Sequence, residues 1–169
     1  NDPSGALADL NRSIEIKPMA SALADRAALY RQQNQLNLAL ADFHQAIAIE
    51  PDNTANHAAL GYALWDADHI ALSRDELKLA EQHTPDDPAL IQQLAYVNQR
   101  LDDIPQAQSY TERVVDDIDR GYAPQGLSEQ DAERRFNFRR MHEDTGRRWT
   151  FSVDTSMGLS GKNSIPNSS

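Results

Sequence analysis

The sequence contains no cysteine. That removes disulfides, thiolate zinc sites and cysteine nucleophiles together, and it is compatible with an oxidising compartment without locating the chain in one. No apolar run approaches the ~18 residues of a spanning helix, so these 169 residues hold no helical membrane anchor. An initiator methionine and a charged-then-apolar leader are both missing. The chain opens Asn1-Asp2-Pro3 and closes in a polar run from Asn163 to Ser169, and it reads as a piece of a longer protein. Catalytic signatures are missing too. His44, His57, His69, His83 and His142 never form an H-E-x-x-H pair, and Gly158-Leu159-Ser160-Gly161-Lys162 fits neither G-x-S-x-G nor the phosphate-loop spacing, which makes it a loop. Asn11-Arg12-Ser13 matches a glycosylation sequon inside a helical segment and carries no weight. No catalytic residue, metal or cofactor is expected, and the chain reads as a non-enzymatic protein.

What is present is enough apolar material for a core, 40% of the residues, and an uneven charge. The formal total is −10; up to Leu127 there are 20 acidic and 9 basic residues, whereas from Ser128 onward there are 6 and 7. Six of those seven are arginines between Arg134 and Arg148. The composition therefore breaks near residues 121–128.

One phrase recurs. Ala6-Leu7-Ala8-Asp9-Leu10 leads to Ile16-Lys17-Pro18, Ala39-Leu40-Ala41-Asp42-Phe43 leads to Ile49-Glu50-Pro51, and a looser copy ends at Pro85. Pro18 to Pro51 is 33 residues and Pro51 to Pro85 is 34, against the 34-residue period of tetratricopeptide repeats. The packing residues agree with that resemblance. The second unit has Ala27, Tyr30, Ala39, Phe43, Ala46 and Pro51, and the third has Leu60-Gly61, Leu64, Ser73, Leu77, Ala80 and Pro85. Small residues recur where helices approach closely, and large apolar ones at i, i+3, i+4 give each helix one apolar stripe. Proline stops each second helix because it has no N–H to donate. A fourth unit, from Pro88 to about Arg120, keeps Leu94-Ala95 and Ala107 but carries Thr111 and Val114 at consensus positions, as terminal units commonly do. The first unit lacks its first helix.

The expected fold is thus all-α, a tetratricopeptide-type solenoid of helical hairpins over residues 1–120, about three and a half units with the first truncated. An arginine-rich linker and short helix follow over 121–148. An amphipathic strand with a polar tail occupies 149–169.

Such solenoids present the first helix of each unit along a concave groove. The outward positions are Asp25, Ala28, Arg31 and Gln32, then Tyr62, Trp65 and Asp66, then Gln92, Gln93, Tyr96, Gln99 and Arg100. Tyr62 and Trp65 are three apart and share a face. Flat rings beside amides and mixed charges suit a peptide or a sugar chain. Tyr62 and Tyr96 serve equally well as packing between hairpins; Trp65, at a helix end before Asp66-Ala67-Asp68, is expected to be exposed.

Arg134-Arg135-Phe136-Asn137-Phe138-Arg139-Arg140 interleaves bases with aromatics, but the acidic total argues against nucleic acid, whose phosphates most of this surface would repel. Salt links to the acidic hairpins, phosphate contacts with lipids and plain solvation remain for these arginines and for Arg147 and Arg148. Ser128 is a natural N-cap for a helix with Asp131 and Glu133 in its first turn. Gly146 is expected to end it. From Arg148 to about Ser160 the pattern alternates, with Trp149, Phe151, Val153, Thr155, Met157 and Leu159 on one side, which predicts a strand. Its length suits the ~9–11 residues of a membrane β-strand with Trp149 in an aromatic girdle, or equally a half-buried strand of a soluble domain.

The stretch from Ala132 to Phe151, preceded by degenerate tetratricopeptide units, resembles the junction in the bacteriophage adsorption protein A family. The resemblance implies an outer-membrane protein with periplasmic helical repeats ahead of a C-terminal β-barrel, a phage receptor that also takes part in exopolysaccharide export. It implies protein partners, either a phage tail protein or an export-complex component, or else a polysaccharide, with membrane contact through the barrel. A soluble adaptor that binds a peptide tail is the alternative reading.

Overall fold

Asn34, Asp68 and Asp102 stand 34 residues apart, and each takes a left-handed backbone, with φ of 58°, 61° and 57°. Asn and Asp tolerate this region better than other side-chain-bearing residues, so they mark the same tight turn three times. In each turn the next backbone N–H reaches back to a helix carbonyl: Gln35 N donates to Tyr30 O at 2.8 Å, His69 N to Leu64 O at 2.8 Å and Asp103 N to Asn98 O at 3.0 Å. These bonds close one helix and aim the chain antiparallel into the next.

The computed structural model describes residues 3–121 and 128–158, with side chains from 4 to 121 and from 128 to 147. Among the described residues there are eight helices and no strand: α1 (Pro3–Ile16), α2 (Ala20–Gln32), α3 (Leu36–Ile49), α4 (Thr54–Asp66), α5 (Ile70–Glu81), α6 (Pro88–Arg100), α7 (Ile104–Arg120) and α8 (Glu129–Gly158). The turns above join α2 to α3, α4 to α5 and α6 to α7, and each pair packs as a hairpin. Hairpins then stack, α3 on α4 and α5 on α6, while α7 receives α8. Asn53, Asp87 and Asp103 cap α4, α6 and α7 through their side-chain oxygens.

The apolar stripes meet between the layers. Ala27, Ala39, Phe43, Leu60, Ala63 and Leu64 form one cluster, and a larger one runs from Leu77 and Leu90 through Leu94 and Val114 to Phe138. Gly61 explains the need for small residues. A Cβ there would lie 2.7 Å from Leu77 Cγ and Cδ2, and the Ser73 hydroxyl donates to the Gly61 carbonyl at 2.7 Å. One carboxylate is buried beside a half-buried arginine. Asp42 accepts from Arg26 Nε at 2.7 Å and from Nη2 at 2.8 Å, while Arg26 Nη1 donates to Asn11 at 2.8 Å, joining α1, α2 and α3.

The C-terminal part differs from expectation. Gly146 does not end the helix, and residues 149–158 continue α8 where alternation predicted a strand. An isolated strand would leave a row of N–H and C=O groups unpaired, whereas a helix satisfies them within itself. Gly146 faces α7 from within α8, where an added Cβ would meet only the flexible end of Gln108, 2.9 Å from Nε2. The expected tail from residue 159 onward lies outside the described residues.

Candidate functional site

The first helices of the units leave a cleft of about 740 Å³ between α2, α4 and the start of α6. Its floor is methyl groups from Ala28, Ala55, Ala58 and Ala59. On α4 those alanines run at i, i+3, i+4 and continue into Tyr62 and Asp66, so one stripe of one helix supplies floor and far wall. Arg31 Nε on α2 donates to Asp66 Oδ2 at 2.5 Å, and its guanidinium lies 5.7 Å from the centre of the Tyr62 ring. Thr84 and Asp87 close the other end. Asp87 Oδ1 accepts from Ala89 N at 2.9 Å and from Leu90 N at 3.3 Å. Burial and then the charge of Asp87 raise the Tyr62 phenol above its ordinary pKa, against the opposing pull of Arg31. Tyr62 therefore stays a neutral hydroxyl at the cleft wall.

Of the expected groove residues, Arg31, Gln32, Tyr62 and Asp66 meet in this cleft together with Ala28. The others lie elsewhere. Asp25 is exposed on α2, and Gln92 and Gln99 are half-buried on α6. Trp65 was expected to be exposed, and that is corrected: it is half-buried against the larger core cluster. The reason is the next unit. Arg100 lies 5.8 Å over the Trp65 ring and is anchored by Asp68 Oδ1 at 2.8 Å. Tyr96 is a packing residue, its ring centre 5.3 Å from that of Phe138 on α8. Thr54, Ala55, Ala58, Ala59, Thr84 and Asp87 were missed. A signal existed in the spacing of Ala55, Ala58 and Ala59, because alanines in line with an outward tyrosine make a shallow floor as well as a packing surface.

The arginines of α8 face two ways. Arg135 Nη2 donates to Asp119 Oδ2 at 2.9 Å and Arg139 lies 3.6 Å from the same carboxylate, so both bind α8 to α7. Arg134 is half-buried. Arg140 is 3.9 Å from Asp144, and Arg147 is 3.2 Å from Asp144 and 3.5 Å from Glu143, pairs within α8 itself. The side chains of Arg148 and Trp149 lie outside those described. Among the described residues no group of acidic or histidine side chains is arranged to hold a metal, and no helix is long and apolar enough to cross a membrane.

No family model matches the chain. Over 157 residues, 93% of its length, it is 54% identical to Bacteriophage adsorption protein A of Escherichia coli, of which it spans 16%. It is 31% identical over 94 residues, 55% of its length, to a TPR repeat-containing protein of Pseudomonas aeruginosa, again spanning 16% of that protein. Among solved structures, a crystal structure of MamA superimposes with a TM-score of 0.66 at 16% identity, covering 90% of this chain and 92% of that one. The first TPR domain of Spaghetti bound to an HSP90 peptide gives 0.58 at 13% identity, covering 72% and 90%. At these identities the structures speak for the tetratricopeptide fold.

Proposed function

Because the chain belongs to the bacteriophage adsorption protein A family, we propose that it is the binding scaffold of a phage receptor at the bacterial outer membrane, non-enzymatic and turned to the periplasm. The observation that carries this reading is the 54% identity across 93% of the chain, which runs through both the hairpin array and α8. The relative is much longer than this chain, so reception and transport belong to the whole protein. We place a C-terminal β-barrel after α8, with the array beneath it taking part in exopolysaccharide export by holding a protein partner. The open cleft between α2 and α4 supplies a surface for that partner, and its small alanine side chains have little rotamer freedom to lose when an extended segment is captured.

The test is deletion of this segment from the full-length receptor with the rest left in frame. Phage adsorption and exopolysaccharide release are both expected to fall, and the purified chain is expected to bind a phage tail or export protein. Unchanged adsorption and release, with the shortened receptor still inserted in the outer membrane, would remove the proposal. Repeated alternating segments of about ten residues downstream of Ser169 are expected for the barrel; a soluble domain there would exclude it.

A further inference from the structure

We propose that the α2–α4 cleft takes an extended segment of a partner protein bearing lysine or arginine next to small or apolar side chains, and that it rejects acidic segments and neutral sugars. This rests on the cleft being the binding surface named above, and it adds the chemistry of the occupant.

The first argument is charge. Three charged residues line the cleft: Arg31, Asp66 and Asp87. Arg31 is engaged by Asp66 at 2.5 Å and lies on the Tyr62 ring, so its charge is neutralised in place and little of it is offered to a ligand. That leaves Asp87 as the net charge of the site. The N-terminus of α6, which would otherwise attract an anion, is already occupied by the Asp87 carboxylate. The next inner arginine repeats the arrangement, Arg100 being held by Asp68 at 2.8 Å and lying over Trp65. Around these pairs the chain up to Leu127 carries 20 acidic against 9 basic residues. An acidic ligand meets repulsion on approach and no uncommitted cation at the cleft, whereas a lysine or arginine finds Asp87 and a favourable field.

The second argument separates peptide from sugar. A sugar stacks on the open face of an aromatic ring. Here each inner ring already carries a partner: Arg31 on Tyr62, Arg100 on Trp65 and Phe138 against Tyr96. The floor of the site is instead the alanines Ala28, Ala55, Ala58 and Ala59, which give apolar contact, and its uncharged hydrogen-bonding groups, Gln32, Thr54, Tyr62 and Thr84, stand around that floor and not on it. Small aliphatic side chains fit that surface.

The test uses this 169-residue chain and three fluorescein-labelled decapeptides of alanine and leucine, carrying two lysines, two glutamates or two glutamines, together with a neutral oligosaccharide. Anisotropy is expected to show the lysine peptide binding about tenfold more tightly than the glutamate peptide at low salt, with the gap closing at high salt. Asp87→Asn, which keeps the helix cap, is expected to weaken the lysine peptide several-fold at unchanged melting temperature. Ala58→Leu, which fills the floor, is expected to weaken all three peptides. If lysine and glutamate peptides bind alike but Ala58→Leu still weakens both, the charge preference is wrong and the cleft stands. If Ala58→Leu leaves binding unchanged, the cleft itself is wrong. Tighter binding of the oligosaccharide than of the lysine peptide overturns the choice of peptide over sugar.

Discussion

The array from α2 to α7 and the terminal helix α8 are held by different means. In the array, successive hairpins stack on one another through the same repeated pattern, so Phe43 of α3 is sealed between Ala27 and Leu60. In α8 one stripe, Phe138, Met141 and Thr145, is buried against α7 and the end of α6, and the opposite side carries Phe136 exposed at 63%. The first region is fixed by repetition and the second by a single docking. A quasi-one-dimensional stack should therefore lose cooperativity at its last joint first.

Two phenylalanines, each 2% exposed, put that contrast to the sharpest test. Phe43→Ala is expected to cost ~3–5 kcal/mol and to lower the melting temperature of the whole chain by roughly 6–20 °C. Phe138→Ala removes the same ring from α8, yet it is expected to release α8 alone. Limited proteolysis should then cut within 129–158 while the array melts close to its original temperature. If Phe138→Ala lowers the main transition as far as Phe43→Ala does, the two regions fold as one unit and the contrast fails.

Within the array, Gly61→Ala sharpens the comparison on a smaller scale. The added methyl meets Leu77 at 2.7 Å. Overpacking of about 1–3 kcal/mol is expected, partly offset by roughly 1 kcal/mol of helix propensity. Gly146→Ala in α8 meets only the flexible end of Gln108, so the same change there is expected to be neutral or stabilising in a thermal melt. A loss of stability at Gly146 equal to that at Gly61 would mean that α8 is packed as rigidly as the array.

Legibility followed the same division. Residues repeated at 33 or 34 positions could be read because each copy checks the others, and Ala27, Ala39, Phe43, Ala46, Leu64, Leu77 and Ala80 are buried as that spacing required. The turn residues Asn34, Asp68 and Asp102 carried the same period and went unread. Contacts between units were hidden. Nothing local to Trp65 announces that Arg100, from the following unit, will cover it. In α8 the period itself was ambiguous. Trp149, Val153 and Met157 fit alternation, yet spaced by four they continue the register of Met141 and Thr145. Without neighbouring strands to pair with, the helical period prevailed.

The surface joints should yield smaller effects. Arg135→Ala removes a pair with Asp119 whose side chains are 30% and 37% exposed, and a loss of about 0.2–1 kcal/mol is expected, shrinking in high salt and visible mainly as faster cleavage of α8. A loss of several kcal/mol would show that this pair, and not the Phe138 stripe, holds α8 in place.

The smallest effect is a pH dependence inside the array. His57 on α4 lies between two acceptors, Glu76 Oε2 at 2.7 Å from Nδ1 and Pro51 O at 2.9 Å from Nε2. Only the imidazolium can donate to both. Burial opposes the charge, but the bonds to Glu76 and Pro51 and the charges of Glu76 and Asp52 outweigh it, so the folded-state pKa is raised. The link is therefore fully present below the unfolded-state value and is lost as pH rises through the raised one. Melting temperatures of the wild type and His57→Gln are expected to differ most at mildly acid pH and to converge by a few degrees as the buffer becomes basic. A difference that widens with pH would mean that the ring is bound neutral, with one of its two bonds absent, and that the α4–α5 hairpin does not depend on its charge.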